Sequence, residues 1–272
     1  MKNRYFVLLI SVVILACNNQ KTSPDKDAPQ INESRFFWKP DSLGDIYFKH
    51  AAMLLPVDFD QDKTSSQSTY VNFFMGINNN LIYEHYAPNL GDIIKASDST
   101  PKAPDYLQLV DGRIGDIPFN AEKMPVINKS SGINDSIIGQ ISLDYFMDDE
   151  LLVNFNERYI QTCNKFPWSD TCHFETYDIY LDRKIILPVT MHDKTLDFLL
   201  NPQSALFVVF NPDAIAGPVA TGNQTWAVPD TRTVDDANPA FDGILGYAFL
   251  KDKCLLLRPG KKQICVLDTI PE

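Results

Sequence analysis

Cysteines are the side chains whose spacing points most directly to chemistry. Four of them follow Cys17 in the sequence: Cys163, Cys172, Cys254 and Cys265. In an exported chain, such a set predicts two disulfide bonds. If Pro259 and Gly260 form a two-residue turn, Cys254 lies directly opposite Cys265 in the resulting hairpin, within disulfide reach. Cys163 and Cys172 then pair by default, and four free thiols are the alternative.

The other polar side chains form no pattern typical of a metal or nucleophile site. The histidines lack ligand spacing, so no metal and no other cofactor is expected at His50, His85, His173 or His192. No Gly-x-Ser-x-Gly occurs either. Asp58, Asp60 and Asp62 cluster at a predicted hairpin turn and are interpreted as solvated turn residues. The net charge of −11 disfavours nucleic acid as a partner, because an acidic surface repels phosphates.

The N terminus predicts export. Lys2 and Arg4 precede an apolar stretch, residues 5–15, that is too short to span a membrane and has the proportions of a secretory signal. The stretch Ile14-Leu15-Ala16-Cys17 resembles a bacterial lipobox, which implies cleavage before Cys17 and its lipidation. Residues 1–17 are then the signal, and the lipid holds the chain to the cell envelope, with the outer membrane expected. An ordinary signal peptide with a chance cysteine is the alternative.

Residues 18–35 are rich in Asn, Lys, Ser, Pro and Asp and are predicted to form a flexible tether. Beyond them, three phrases occur twice in the same order: 53–59 and 185–191, 70–76 and 196–202, and 135–146 and 242–250. They are short apolar strands separated by turn residues, which indicates a mainly β fold. Their repetition predicts two duplicated lobes, 36–162 and 177–272, joined by a connection at 163–176.

This order of phrases resembles pepsin-like and retropepsin-like aspartic peptidases. Ser136-Ile-Ile-Gly139 and Gly243-Ile-Leu-Gly246 are similar to the family's motif of two hydrophobic residues and a glycine, which makes Gly139 and Gly246 the motif glycines. The stretches 151–160 and 254–267 resemble its closing hairpins. The resemblance implies a bilobal fold, with two β-barrel lobes around a cleft and an elbow from each lobe facing the other across it.

Members of that family carry Asp-Thr-Gly or Asp-Ser-Gly at each elbow, where the two aspartates share a proton and activate a water. Here the first elbow aligns with Phe74-Met75-Gly76 and the second with Asn201-Pro202-Gln203. Phenylalanine cannot exchange protons, and asparagine cannot act as a base near neutral pH. Met75 and Pro202 also lack the hydroxyl that links the elbows in the family. No catalytic residue is therefore expected.

These observations predict a lipid-anchored, exported, aspartic-peptidase-like pseudoenzyme. Its role would be that of a peptide- or protein-binding module or a structural module of the envelope. Its predicted partners are the membrane, through the lipid on Cys17, and a peptide or protein segment in the interlobe cleft. An aspartic-type peptidase with a non-standard active site is the alternative. An envelope scaffold whose cleft is filled by apolar side chains such as Phe74 is a third reading.

Overall fold

The computed structural model describes residues 29–43, 45–60, 68–77, 80–95, 104–128, 136–180, 183–191, 193–210, 219–221, 224–226, 231–233 and 240–271. The predicted signal, the lipidation site Cys17, most of the predicted tether, Asp62 and His192 lie outside these ranges. Within them, no helix is both long and apolar enough to cross a membrane.

Strands dominate the described chain, as the short apolar phrases predict. The first half contains β1 Asn32–Arg35, β2 Phe37–Leu43, β3 Ile46–Phe59, β4 Thr69–Phe74, β5 Leu81–Tyr83, β6 Asp105–Ile114, β7 Ile117–Ile127, β8 Ile137–Ser142, β9 Glu150–Asn154 and β10 Tyr159–Cys163. The second half contains β11 Glu175–Thr176, β12 Asp178–Ile179, β13 Ile185–Met191, β14 Lys194–Leu200, β15 Phe207–Val209, β16 Val219–Thr221, β17 Gln224–Trp226, β18 Thr231–Thr233, β19 Gly243–Leu245, β20 Cys254–Arg258 and β21 Gln263–Leu267.

Helical elements are short. Two α-helical turns, α1 Ala87–Leu90 and α2 Tyr247–Leu250, follow β5 and β19. Three 3₁₀ turns lie at Leu143–Phe146, Ser169–Thr171 and Pro259–Lys261.

Two sheets form the two lobes. The first has the order β2-β3-β4-β8-β5-β7-β6, and the second has β17-β16-β13-β14-β19-β15-β18, with β12 also paired to β13. The registers repeat: Pro56 faces Tyr70 in one sheet, and Pro188 faces Asp197 in the other. The mainly β, bilobal fold class is therefore confirmed.

A third sheet joins the halves, in the order β1-β10-β9-β20-β21-β11. The closing hairpins of the two halves meet edge to edge in it, with Leu152 opposite Leu256. Because both faces of this sheet are covered, its central strands are apolar without alternation, and Leu151, Leu152, Leu255 and Leu256 are all fully buried. Each such side chain contributes roughly 1.5–3 kcal/mol by its removal from water.

The predicted tether is wrong at its C-terminal end. Asn32–Arg35 is strand β1, which covers the outer edge of β10 with Asn32 opposite Thr162. Its sequence, Asn-Glu-Ser-Arg, has no apolar residue, and only Ser34 is buried. Hydrogen bonding to an otherwise open edge, rather than burial of apolar surface, therefore explains why this polar stretch is ordered.

The predicted interlobe connection, 163–176, covers the outer face of the joining sheet. Phe166 is buried there against Leu152 and Leu256, and Trp168 and Phe174 are half-buried beside it. The inner face packs into the main core shared by the two lobes. The connection is thus part of the packing that holds the halves together.

The predicted disulfides are not formed, and all four described cysteines are unpaired thiols. In the C-terminal hairpin Cys254 faces Leu267 and Cys265 faces Leu256, so the predicted register is wrong. The loop has four residues, Pro259 to Lys262, because the 3₁₀ turn is followed by Lys262 in the left-handed conformation at φ 51°. Cys163 donates its S–H to the Lys165 carbonyl at 3.3 Å instead of pairing with Cys172.

Candidate functional site

The two elbows follow central strands of their sheets. β4 runs parallel to β8, and β14 runs parallel to β19, so each elbow emerges where a parallel pair ends. The strand registers show which residues of the two lobes are equivalent. Gly139 pairs with Val71 and Ile82, as Gly243 pairs with Phe198 and Val209.

Counting along these strands places Phe74 at the position of Asn201, which is the alignment expected from sequence. The glycines differ from expectation. Gly139 corresponds to Gly243, whereas Gly246 corresponds to Ser142, three residues further on in the first lobe. The sequence pattern pairs the two glycines by the repeated Ile-x-Gly motif. In the structure, the equivalent residues follow from β8 and β19, which precede the 3₁₀ turn Leu143–Phe146 and the helix α2.

The elbows face each other around a small cavity of about 10 Å³. Its lining consists of Met53, Phe73, Phe74, Met75, Lys184, Leu200, Asn201, Pro202 and Gln203. That volume is about what one water molecule needs. Among the described residues, no aspartate or glutamate lines it, and Lys184 is the one charged side chain that does.

The first elbow is held by backbone contacts within its own half and with the second half. The Gly76 N–H donates to the Phe74 carbonyl at 2.8 Å, and the Gly76 carbonyl accepts from Leu143 N–H at 2.8 Å. Ile77 N–H donates to the Arg183 carbonyl at 3.0 Å, and Gly76 forms a bridge with Lys184. A Cβ atom on Gly76 would lie 2.3 Å from that Arg183 oxygen. The absence of a side chain at Gly76 therefore permits close contact between the lobes.

The second elbow is shaped by Asn201. Its backbone N–H donates to the Leu245 carbonyl at 3.0 Å, and its side-chain oxygen accepts the Gln203 N–H at 3.3 Å, as in an Asx turn. Gly246 lies directly behind, where a Cβ atom would be 2.1 Å from the Leu206 carbonyl oxygen. The side-chain oxygen of Asn201 is thus engaged in turn formation at the elbow.

A polar network that no sequence motif predicts lies beside the first elbow. Asn80 Oδ1 accepts the Ser142 N–H at 2.8 Å and the Ser142 hydroxyl at 3.2 Å, and Asn80 Nδ2 donates to Asp144 at 3.2 Å. Asp144 Oδ1 also lies within hydrogen-bond distance of the Ser142 hydroxyl, so the single hydroxyl proton is shared between Asn80 and Asp144. Ser142 is fully buried, so its hydroxyl supports the elbow and is not exposed to a substrate. The only sequence signal is a serine where the other lobe has Gly246.

Other acidic residues lie away from the cavity. Asp197 and Asp242 join β14 to the segment before β19: Asp197 N–H donates to an Asp242 carboxylate oxygen at 2.8 Å, and Asp242 N–H donates to the Asp197 carbonyl at 2.7 Å. Asp58 and Asp60 are exposed at the end of β3, as predicted for turn residues. Within the described ranges, no cluster of three or more metal-binding side chains occurs.

An aromatic contact links the two lobes. His50 of β3 stacks on Tyr247 of α2 with a ring separation of 3.8 Å, and Trp38 lies edge-on to both rings. Burial, with further contributions from Lys49 and Arg158, lowers the pKa of His50. A neutral imidazole packs here more favourably than a charged one, so His50 is a packing residue of the lobe interface.

Comparison with known proteins supports the fold. Neither a protein-family model nor a curated protein sequence matches the chain. Among solved structures, an aspartic proteinase from Irpex lacteus is similar, with a TM-score of 0.50 and 9% identity over 88% of this chain and 98% of that one. Conglutin gamma, described as a basic 7S globulin from lupine seeds, also has a TM-score of 0.50, with 7% identity over 89% of this chain and 95% of its own. Identities this low show a shared fold and nothing beyond it.

Proposed function

We propose that this chain is an exported, lipid-anchored protein with an aspartic-peptidase-like fold that does not hydrolyse peptides and that binds a peptide or protein segment. The observation behind the absence of hydrolysis is the cavity between the elbows, which has room for about one water and no described carboxylate in its lining. Export, anchoring and binding rest on the sequence expectations for the N terminus and the bilobal fold. Acid–base activation of a water by this fold requires two carboxylates that share a proton.

The residues that occupy the elbow positions support the loss of hydrolysis. Phe74 presents an aromatic ring where one carboxylate would stand, and Asn201 uses its amide oxygen to accept the Gln203 N–H. Pro202 has no hydroxyl or N–H to donate between the elbows. Lys184 is a cation, which could orient a carbonyl but cannot serve as the missing carboxylate.

The fold comparison is compatible with a role other than proteolysis. One similar structure is described as a proteinase and another as a seed globulin, so this fold occurs under both descriptions. A fold alone does not specify a reaction, and the site decides. A binding role at the interlobe cleft, or a structural role in the envelope, requires only the bilobal shape that the joining sheet maintains.

A peptidase assay tests the proposal. A chain that begins at residue 29, and so retains β1, should cleave no peptide at acidic pH. A hydroxyl-containing peptide inhibitor of aspartic peptidases should not raise its melting temperature, because its hydroxyl would meet Phe74 and Asn201 instead of two carboxylates. The double variant Phe74→Asp/Asn201→Asp should remain inactive, since Met75, Pro202 and Gln203 still shape the elbows.

An active aspartic proteinase in the same assay serves as the positive control. Cleavage by the unmodified chain that disappears when a cleft carboxylate is replaced would favour the second candidate, a peptidase with a non-standard active site.

The anchor is tested separately. The native protein should begin at Cys17, and its N-terminal peptide should carry the mass of a diacyl or triacyl modification. A Cys17→Ser variant should leave the membrane fraction. An unmodified N terminus elsewhere in the native chain would refute the lipoprotein assignment without affecting the elbow argument.

A further inference from the structure

All four described cysteines lie in one apolar cluster on the outer face of the joining sheet. Cys163, Cys254 and Cys265 are buried in it, and Cys172 is half-buried at its margin. The cluster lies between the sheet and the covering segment 163–176. The sequence indicates two local pairs, 163 with 172 and 254 with 265. The structure places the thiols differently.

Cys172 and Cys265 are brought together by the return of the covering segment. β11 pairs with β21, with Glu175 opposite Ile264, so the residues just before β11 approach the middle of β21. The side chains of Cys172 and Cys265 are close enough for their thiols to hydrogen-bond, and the backbone of His173 contacts the Cys265 sulfur. The Cys163 thiol donates a hydrogen bond to the Lys165 carbonyl, and Cys254 faces Asn154 and Leu267 on the neighbouring strands.

We propose that Cys172 and Cys265 form an oxidative cross-link that fastens the covering segment 163–176 to β21, while Cys163 and Cys254 remain thiols. The cross-link would join the connection between the lobes to the last strand of the chain. Export, part of the proposed function, would supply the oxidising compartment in which such bonds persist. The chemistry itself depends on neither the lipid anchor nor the state of the elbows.

The reaction proceeds by exchange with a small disulfide such as oxidised glutathione. The thiolate of Cys172, which is the accessible partner, attacks one glutathione sulfur, and the glutathione disulfide breaks to release one glutathione thiolate. The Cys265 thiolate then attacks the Cys172 sulfur of the mixed disulfide and releases the second glutathione. The two cysteines lose two protons and two electrons, which reduce one oxidised glutathione to two reduced molecules.

The burial of the two thiols determines the rate of this exchange. Burial raises the pKa of the Cys172 thiol, an effect that the hydrogen bond from Cys265 partly offsets, and burial raises the pKa of Cys265 to about 12. Because the thiolate is the reactive form, cross-linking should be slow at neutral pH and accelerate as the pH rises towards 9.

The experiment uses the full chain with Cys17→Ser, so that only the four clustered thiols can react. After incubation with oxidised glutathione at pH 8.5, digestion without reduction should yield one linked peptide pair that contains Cys172 and Cys265 and is two hydrogens lighter than the sum of its parts. Thiol titration in denaturant should count two remaining thiols. Cross-linking should also raise the melting temperature by about 5–15 °C, since the closed loop is long.

Matched variants make the assignment specific. Adding Cys172→Ser or Cys265→Ser should abolish the linked peptide and the gain in melting temperature. Adding Cys163→Ser or Cys254→Ser, at equally apolar positions of the same cluster, should preserve both. Four thiols after prolonged oxidation, or a linked peptide that contains Cys163 or Cys254, would overturn the proposal.

Discussion

Replacing Glu150 with alanine should lower the free energy of unfolding by about 3–5 kcal/mol, because it leaves a largely buried arginine without its counter-ion. Glu150 is 5% exposed, and its carboxylate accepts hydrogen bonds from Arg258 Nε at 2.7 Å and from the Phe166 N–H at 2.8 Å. Arg258 in turn lies 3.9 Å from the Phe174 ring centre. One carboxylate therefore holds strand β20 of the second half and the covering segment to strand β9 of the first half.

Urea unfolding at constant m-value measures this loss. Lys165→Ala is the matched control, because the Lys165–Asp170 pair joins residues of the same covering segment in solvent, where ion pairs contribute little. Its unfolding midpoint should stay close to that of the unmodified protein. Glu150→Gln, which keeps an acceptor for Phe166 but loses the charge, should lie between the two. Equal midpoints for Glu150→Ala and Lys165→Ala would show that the buried pair has no special role.

Replacing Gly76 with alanine should lower the free energy of unfolding by about 1–3 kcal/mol, the usual range for overpacking. The added Cβ would lie 2.3 Å from the Arg183 carbonyl oxygen, and a backbone atom cannot rotate away as the Phe74 ring can. The two segments must separate, which weakens the hydrogen bond from Ile77 N–H to Arg183. Denaturant unfolding measures the loss, and faster hydrogen exchange at Ile77 locates it.

Gly91→Ala is the control for Gly76→Ala. Its Cβ would have no neighbour within 4 Å, and its backbone is extended, so stability should hardly change. An unchanged stability for Gly76→Ala would mean that the lobes can shift apart freely at the elbow. Gly76 would then have no packing reason to be glycine.

The sequence sufficed for the lobes and the elbows because their strands are marked by local signals. Pro56 and Pro188 occupy equivalent registers, opposite Tyr70 and Asp197. The elbow positions Phe74 and Asn201 each follow that facing residue by four residues. Short apolar runs bounded by turn residues encode this order without long-range information. That the elbow residues Phe74 and Asn201 carry no carboxylate follows from residue identity alone.

The rest depends on contacts that no local pattern encodes. Strand β1 is polar and becomes ordered only because the edge of β10 is available. Cys265 lies opposite Leu256, and not opposite Cys254, because the left-handed backbone of Lys262 lengthens the hairpin loop. Gly139 and Gly243 are equivalent because the same kinds of strand flank both residues, which only the folded structure shows.

The pairing of β9 with β20 also bears on how such a chain can arise. Leu152 and Leu256 face each other at equivalent positions of the two halves, so the line of symmetry passes between two like residues. A chain of half this length would bury the same edge by association with an identical copy, Leu152 against Leu152. Gene duplication and fusion would then turn that dimer into one polypeptide without altering a register, and each elbow would become free to change on its own.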